Sequence, residues 1–197
     1  MTVTASGHER QKNELYETPY WCIESLRRHL PSLVGLKIWE PAAGNHRVAD
    51  MLTINGAHVT TSDIEQYERA HDWIYDFINI TAHVPQLFDA IITNPPYGQG
   101  NHQAVKFTRN ALACCNGWVA MLLTAKFDSG STRVDMFRDN PRFHKKIVLI
   151  DRLRFFDGPD ATDGTEDHAW FIWRPTAHVD TLAARAPVIA YEGNPYK

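Results

Sequence analysis

The sequence predicts an α/β fold in which a mostly parallel sheet carries helices on both faces. Residues 90–92 form a short apolar, β-favouring run bounded by Pro and Gly, which is typical of a buried strand in a parallel sheet. Residues 36–56 have the pattern of a strand, a small-residue turn and a helix. Residues 102–123 have the pattern of a helix followed by a second buried strand. This alternation favours parallel strands joined by helical crossovers.

Length and composition are those of one soluble domain. The 197 residues are 44% hydrophobic and 22% charged, which is ordinary for a globular protein with a single core. No apolar run approaches the roughly 20 residues that span a membrane, and the polar N-terminus has no apolar signal region, so we expect a cytoplasmic protein without a membrane partner. The three cysteines have no metal-type spacing, so we expect no metal. The net charge of −3 means that any nucleic-acid surface must be local.

The sequence divides into three regions. Residues 1–15 are polar and predict a flexible N-terminus. Residues 16–176 contain all the predicted elements and form the domain. Residues 177–197 predict a C-terminal tail.

The first half of the domain alternates helix and strand. Thr18 and Pro19 form a helix-start signal, with Thr18 as the predicted N-cap and apolar residues at helical spacing after it. Residues 36–39 predict the first strand, and a helix that stops at Gly56 follows it. Residues 58–63 predict the second strand, and a short third strand is expected within residues 72–78.

The second half continues the alternation. Residues 90–92 are the fourth strand, which two prolines end. Residues 102–115 predict a helix with an apolar inner face, and residues 118–123 predict the fifth strand. Residues 147–150 and 169–173 predict strands six and seven, on either side of a loop rich in Gly, Pro and Asp.

The loop after the fourth strand carries the most informative chemistry. Asn94, Pro95, Pro96 and Tyr97 follow the strand directly, and ligands of open α/β sheets bind at the carboxyl ends of strands. The Asn94 amide oxygen and the Pro95 carbonyl can each accept one N–H, and Tyr97 can stack on a ring. These groups suit a flat ring that carries an amino group.

A second candidate region lies at the ends of the first two strands. The turn from Glu40 to Gly44 consists of small residues that let the backbone approach a nucleotide-type cofactor closely. Asp63 ends the second strand, 19 residues after Gly44, where a carboxylate can accept ribose hydroxyls. Asp63 could instead cap a helix that starts at Ile64.

Asn94-Pro95-Pro96-Tyr97 after an apolar strand resembles the catalytic motif of S-adenosylmethionine-dependent amino-methyltransferases, above all the N6-adenine DNA methyltransferases. Three further segments are similar to motifs of that family in the same order. Residues 16–19 resemble a Glu-Thr-Pro element that closes over the methionine end of the cofactor. Residues 40–46 resemble motif I, although His46 occupies the usual second-glycine position. His46 could be a loop residue near the cofactor, but we favour a solvent-facing side chain at the helix start. Asp76-Phe77-Ile78 resembles motif III, with Asp72 as a competing acid.

The resemblance implies a fold and a set of site residues. The fold is a Rossmann-like class I methyltransferase with a mostly parallel seven-stranded sheet, helices on both faces and an antiparallel edge hairpin. In the family, the motif III acid accepts from the cofactor adenine amino group and the following Phe lies against the purine. The implied catalytic residues are Asn94, Pro95, Pro96 and Tyr97. The implied residues for S-adenosyl-L-methionine are Thr18, Pro19, Glu40, Pro41, Ala42, Gly44, Asp63, Asp76, Phe77 and Asn94.

The implied activity is methyl transfer to the N6 amine of adenine in DNA. Methylation of RNA adenine or of a protein glutamine uses the same loop chemistry, and a non-catalytic methyltransferase-like subunit is a further alternative. A nicotinamide oxidoreductase is the weakest alternative, because its dinucleotide site would require a more complete glycine-rich motif. The chain has no room for a large target-recognition region, so we expect a homo-oligomer or a recognition partner. The basic segment 126–146 either contacts phosphates or is an ordinary charged surface.

Overall fold

The computed structural model describes residues 16–80, 87–154, 166–179 and 186–196. Within these ranges eight strands form one sheet, in the spatial order β3-β2-β1-β4-β5-β7-β6-β8. The strands are β1 (Lys37–Glu40), β2 (His58–Asp63), β3 (Trp73–Ile74), β4 (Ala90–Thr93), β5 (Trp118–Thr124), β6 (Phe143–Leu149), β7 (His168–Trp173) and β8 (Val188–Glu192).

Three α-helices accompany the strands in the same ranges. They are α1 (Tyr20–Arg27), α2 (Arg47–Ile54) and α3 (His102–Cys114). Short 3₁₀ turns occur at Phe77–Asn79, Gln99–Asn101, Phe127–Ser129, Ser131–Arg133 and Thr176–His178.

Of the described strands, only β7 runs against the others. It pairs antiparallel with both β5 and β6, whereas every other pairing is parallel. The carboxyl ends of β1, β2, β4, β5 and β6 therefore meet at one edge of the sheet. The predicted α/β fold with a mostly parallel sheet and an antiparallel portion is confirmed.

The core consists of two apolar layers, one on each face of the sheet. The layer under α1 and α2 includes Leu26, Leu52 and Trp170, which are all nearly inaccessible to solvent. The layer under α3 includes Phe107 and Trp173. Strands such as β4, which is buried along its whole length, have both faces covered and therefore carry continuous apolar runs.

Two predictions about helix starts are wrong. α1 begins at Tyr20 with Pro19 as its N-cap, and no side chain caps this end, so the predicted N-cap role of Thr18 is wrong. No helix follows Asp63. The acid therefore does not cap one, and the alternative prediction for this residue fails.

The sheet is one strand larger than predicted. Val188–Glu192 pairs with β6 and covers the edge at which the β6–β7 hairpin was expected to end the sheet. Most of this strand is exposed, although residues 188–191 are apolar. The prediction for residues 1–15 lies outside the described ranges. No helix in the described part of the chain is long and apolar enough to cross a membrane.

Candidate active site

A cleft opens at the carboxyl ends of β1, β2 and β4. Its volume, open mouth included, is about 870 Å³, which is within the range of small-molecule sites. Segments from six parts of the described chain form its wall. The lining residues are Tyr16, Glu17, Thr18, Glu40, Pro41, Ala42, Ala43, Gly44, Asn45, Arg47, Val48, Asp63, Ile64, Tyr67, Tyr75, Asp76, Phe77, Ile78, Asn94, Pro96, Gln103 and Phe107.

Most of the residues predicted from the sequence lie in this wall; Pro19, Pro95 and Tyr97 do not. Pro95 is buried beneath its loop. Tyr97 is half-buried, and its hydroxyl donates a hydrogen bond to the Leu122 carbonyl at 3.2 Å. Its ring lies beside His168, with 6.0 Å between the ring centroids. Tyr97 is thus anchored on β5 at the side of the cleft.

The Asn94 carboxamide is held in place by hydrogen bonds that its amide nitrogen donates. Its Nδ2 donates to the Thr18 hydroxyl at 3.2 Å and to the Tyr16 carbonyl at 3.4 Å. Because the Tyr16 carbonyl can only accept a hydrogen bond, the Asn94 atom that faces it must be the amide nitrogen and not the amide oxygen. No described residue donates a hydrogen bond to Oδ1, which is left to accept from a group in the cleft.

Residues 16–19 form a strap across the cleft. Glu17 accepts from Asn45 at 3.0 Å and is paired with Arg47, so the strap is attached to the β1–α2 turn. Through Tyr16 and Thr18 the strap also reaches the loop after β4. It therefore joins the predicted cofactor turn to the predicted catalytic loop.

The Glu40 carboxyl is the most buried acid of the cleft, with 1% of the residue exposed. Burial raises its pKa well above the usual range of a glutamate, although a hydrogen bond from the Ala49 N–H opposes the shift. Its Oε2 atom accepts no hydrogen bond from the described residues. A buried acceptor without a donor in a cleft wall fits a ligand that carries an ammonium or N–H group.

The turn after Glu40 has two left-handed positions, which Asn45 separates. Gly44 has φ 49° and His46 has φ 70°. His46 is only 7% exposed, and its Nε2 lies 2.9 Å from the Nδ1 of His71. The prediction that His46 faces solvent is therefore wrong. Because its side chain turns toward the loop after β2, the residue replaces a glycine without filling the cleft.

Asp63 connects the ends of the first two strands. Its Oδ2 accepts from the Gly44 N–H at 2.9 Å and its Oδ1 from the Ile64 N–H at 2.7 Å. Burial raises the pKa of this carboxyl, and the two backbone hydrogen bonds lower it. The carboxylate thus stabilises the β1–α2 turn and lies in the cleft wall at the same time.

The two candidate acids of the third motif are separated by their positions. Asp76 lines the cleft and caps the turn Phe77–Asn79, accepting from the Ile78 N–H at 3.0 Å. Asp72 lies outside the lining and accepts from the Thr61 N–H at 2.8 Å. Phe77 packs on Phe107 with 4.5 Å between ring centroids. Asp76 is therefore the acid available to a ligand, and Asp72 joins β2 to the loop before β3.

Several lining residues were not predicted as site residues. Ile64, Tyr67 and Tyr75 surround the end of β2, and Gln103 belongs to the first turn of α3. Ile64 had a usable signal, since it is an apolar residue directly after a strand-ending acid. The others reach the cleft through loop geometry, for which the sequence has no local signal.

The basic segment 126–146 is dispersed in the structure. Arg142 is buried, where it donates to three backbone carbonyls. Lys146 is paired with Asp128 at 2.8 Å. Lys126 is exposed two residues beyond the carboxyl end of β5. Because β5 is parallel to β4, Lys126 lies at the edge of the sheet that holds the cleft.

Comparison with known proteins agrees with the fold and the motifs. Residues 32–114 match the model of the Eco57I restriction-modification methylase family. This span includes the turn after β1, Asp63, Asp76 and the Asn94 loop. No curated protein matches the sequence.

Several solved structures share the fold. A candidate RNA methyltransferase from Pyrococcus horikoshii is 15% identical, with a TM-score of 0.63 over 87% of this chain and 93% of that chain. The modification subunit of a candidate type I restriction enzyme from Vibrio vulnificus is 13% identical, with a TM-score of 0.61 over 90% of this chain and 46% of that chain. A candidate hemolysin from Lactococcus lactis is 12% identical, with a TM-score of 0.57 over 89% and 91%. Likenesses at these identities concern the fold alone.

The sequence motifs, the cleft and the family match therefore agree with one another. The resemblance to the N6-adenine methyltransferases is confirmed: the chain has the class I methyltransferase fold, and residues 32–114 are similar to the restriction-modification methylases.

Proposed function

We propose that the protein transfers a methyl group from S-adenosyl-L-methionine to the exocyclic N6 amine of adenine in DNA. The observation that carries the proposal is the fixed carboxamide of Asn94, whose N–H groups are occupied while its oxygen is available in the cleft wall. The adenine amine is a poor nucleophile because its lone pair is delocalised into the ring. A site that accepts hydrogen bonds from this amine favours a nitrogen whose lone pair is available for attack.

The chain's own groups act by positioning and electrostatics. The Asn94 Oδ1 and the Pro95 carbonyl each accept one N–H of the amine, which favours a tetrahedral nitrogen with its lone pair aimed at the methyl donor. S-adenosylmethionine, when bound, would supply an electrophilic methyl group whose bond to the sulfonium sulfur breaks as the bond to nitrogen forms, leaving a neutral thioether. As the new N–C bond forms, positive charge develops on the amine nitrogen, and the two oxygens stabilise it. The surplus proton leaves to water.

The cleft residues fit this cofactor by their chemistry. The donor-free Oε2 of Glu40 suits the amino group of the methionine portion. Asp63 suits the ribose hydroxyls, as its place after the small-residue turn suggests. Asp76 suits the adenine amino group, and Phe77 offers an aromatic side chain to the purine.

The proposed substrate reaches the cleft as a base outside its stack. A target adenine in duplex DNA must be flipped out of the helix, and we assign Tyr97 to stack on it. The hydrogen bond from Tyr97 to Leu122 supports this role because it fixes the ring beside the loop. Lys126 is the exposed cation of segment 126–146 that is best placed to contact a phosphate at the rim.

RNA adenine is the second candidate substrate, because the Pyrococcus horikoshii structure is described as a candidate RNA methyltransferase and shares the fold over 93% of its length. A protein glutamine amide would use the same two acceptors. A partner or a second copy could supply target recognition in each case.

The test is a methyl-transfer assay with radiolabelled cofactor on duplex DNA, single-stranded DNA, RNA and a glutamine peptide. We expect label in DNA, recovered as N6-methyladenine after hydrolysis. Asn94→Ala should lower the rate by about a thousandfold, as removal of one transition-state hydrogen-bonding group does elsewhere. Its cofactor affinity, measured by calorimetry, should stay near that of the wild type.

Asp63→Ala is the complementary variant, which should lose cofactor binding. Full activity of Asn94→Ala would refute the catalytic assignment. Label found only in RNA or in the peptide would move the proposal to that substrate. Cofactor binding without transfer to any substrate would favour a non-catalytic subunit.

A further inference from the structure

The strap and the catalytic loop meet at one side chain. The Asn94 amide nitrogen contacts two acceptors that both belong to the strap, the Tyr16 carbonyl and the Thr18 hydroxyl. Thr18 is 3% exposed, so its hydroxyl has little competition from water. These two contacts come from residues more than 70 positions away in the chain.

The Tyr16 carbonyl decides the direction of the carboxamide. If Asn94 were rotated by half a turn, its Oδ1 would face this carbonyl, and two acceptors would oppose each other without a hydrogen atom between them. The Thr18 hydroxyl alone would not decide, because a hydroxyl can donate or accept. With Tyr16 fixing the direction, Thr18 supplies the second acceptor for the same amide group.

We propose that Thr18, together with the Tyr16 carbonyl, is a positioning residue that aims the Asn94 oxygen at the acceptor amine. This inference rests on the proposed amino-methyl transfer and adds a role for the strap in it. Because Glu17 ties the same strap to Asn45 and Arg47, the aim of Asn94 is coupled to the turn that is proposed to hold the cofactor. Thr18 thereby acts through Asn94 and need not touch the reacting atoms.

The variants Thr18→Val and Thr18→Ser separate this role from a direct role in cofactor binding. Valine keeps the shape of threonine and removes the hydroxyl, whereas serine keeps the hydroxyl. We expect Thr18→Val to lower kcat by about 10- to 100-fold, as expected for a small misplacement of a catalytic group. The dissociation constant of the cofactor should stay within about threefold of the wild-type value, which is a smaller change than the expected loss in kcat. Thr18→Ser should restore most of kcat.

Thr108→Val is the matched control. Thr108 is also a buried threonine, and its hydroxyl donates to the Ala104 carbonyl at 2.8 Å within α3. Removing this hydroxyl should leave kcat unchanged. A loss of cofactor affinity in Thr18→Val with an unchanged kcat would overturn the proposal, since it would mean that Thr18 serves the cofactor only.

A second readout needs no turnover. The side-chain amide signals of Asn94 in a ¹⁵N correlation spectrum can be assigned by their loss in Asn94→Ala. We expect them to shift in Thr18→Val and to stay near their wild-type positions in Thr18→Ser and Thr108→Val. Unchanged signals in Thr18→Val would refute the contact. If the wild-type protein methylates no substrate, the proposed function fails, and this spectrum still decides the orientation of Asn94 alone.

Discussion

His168 is a buried ionisable residue beside the loop after β4. It is 3% exposed, and its ring lies against that of Tyr97. Burial lowers the pKa of its imidazole to about 4, although the Glu166 backbone and the Asp167 charge act in the opposite direction. His168 is therefore neutral at pH 7 and packs as an uncharged aromatic ring under Tyr97.

This pKa makes stability depend on pH. In the unfolded chain the imidazole titrates near pH 6.5 and in the folded chain near pH 4. Between these values the unfolded state binds more protons, so the free energy of unfolding must fall as the pH drops from about 6.5 to about 4. The contribution of His168 is complete above this window, and about 2 kcal/mol of it should be lost by pH 5.

The measurement is urea unfolding at pH 8 and pH 5 for the wild type and His168→Gln. Glu40 contributes with the opposite sign, because burial raises its pKa and its ionisation at higher pH disfavours the folded state. The difference between the two proteins removes that background. The control is His58→Gln. His58 is an exposed histidine at the start of β2, at the end of the strand opposite the cleft, so this variant should behave like the wild type. Equal losses in wild type and His168→Gln would contradict the prediction.

At the residue scale the sequence predicted which residues line the cleft better than it predicted their contacts. Glu40, Gly44, Asp63, Asp76 and Asn94 lie in the cleft wall, and each follows a recognisable strand or turn. Their orientation depends on partners distant in sequence. A local helix-start signal made Thr18 look like an N-cap, whereas its hydroxyl is used by Asn94. In the same way, nothing near His46 indicates that it will bury against His71.

At the scale of secondary-structure elements, the guanidinium of Arg142 joins the ends of three elements at the edge of the sheet opposite the cleft. Arg142 precedes β6 and is 8% exposed. It donates to the carbonyls of Arg174 after β7 (2.9 Å), Leu112 near the end of α3 (3.1 Å) and Gly117 before β5 (2.7 Å). Burial lowers its pKa, yet an arginine stays charged at neutral pH.

Removing this guanidinium should destabilise the fold. Arg142→Met keeps the length of the side chain and leaves three partly buried carbonyls without a donor. Each unsatisfied buried group costs about 1–3 kcal/mol, and some will recover water, so we expect a loss of about 2–4 kcal/mol in the free energy of unfolding. Chemical denaturation is the measurement.

Arg138→Met is the control for this variant. Arg138 is an exposed arginine of the same segment and pairs only with its neighbour Asp139 among the contacts seen. Surface pairs of this kind contribute little, so its unfolding curve should match that of the wild type. If both variants unfolded alike, the three carbonyl contacts would carry no stability.

Strands buried on both faces were predictable from their apolar runs, whereas the start of β6 and the exposed strand β8 were not. β4 and β5 are buried on both faces and carry continuous apolar runs. β6 begins at Phe143, four residues before the predicted start, because the intermediate burial of its first residues gives them mixed polarity. β8 is held mainly by pairing with β6 and by Glu192, which binds Arg28 (2.6 Å) and His29 (2.7 Å) of the chain after α1.

On the scale of the whole molecule, the two edges of the sheet should differ in their response to nucleic acid. The net charge of −3 excludes attraction by the protein as a whole, so binding must come from a few cations at the edge that holds the cleft. Lys126 lies at that edge, beyond the end of β5. Lys37 is an exposed lysine of the same charge at the start of β1, on the opposite edge.

This difference can be measured as salt dependence. Each phosphate contact releases counterions and contributes about −0.9 to the slope of log K against log salt concentration for duplex DNA. Lys126→Gln should therefore weaken DNA binding and make the slope shallower by about 1, whereas Lys37→Gln should change neither. Fluorescence anisotropy with a labelled adenine-containing duplex, at several salt concentrations, gives both values. If the two variants have the same slope, Lys126 contacts no phosphate, and the charge that holds the nucleic acid must come from a second copy or from another protein.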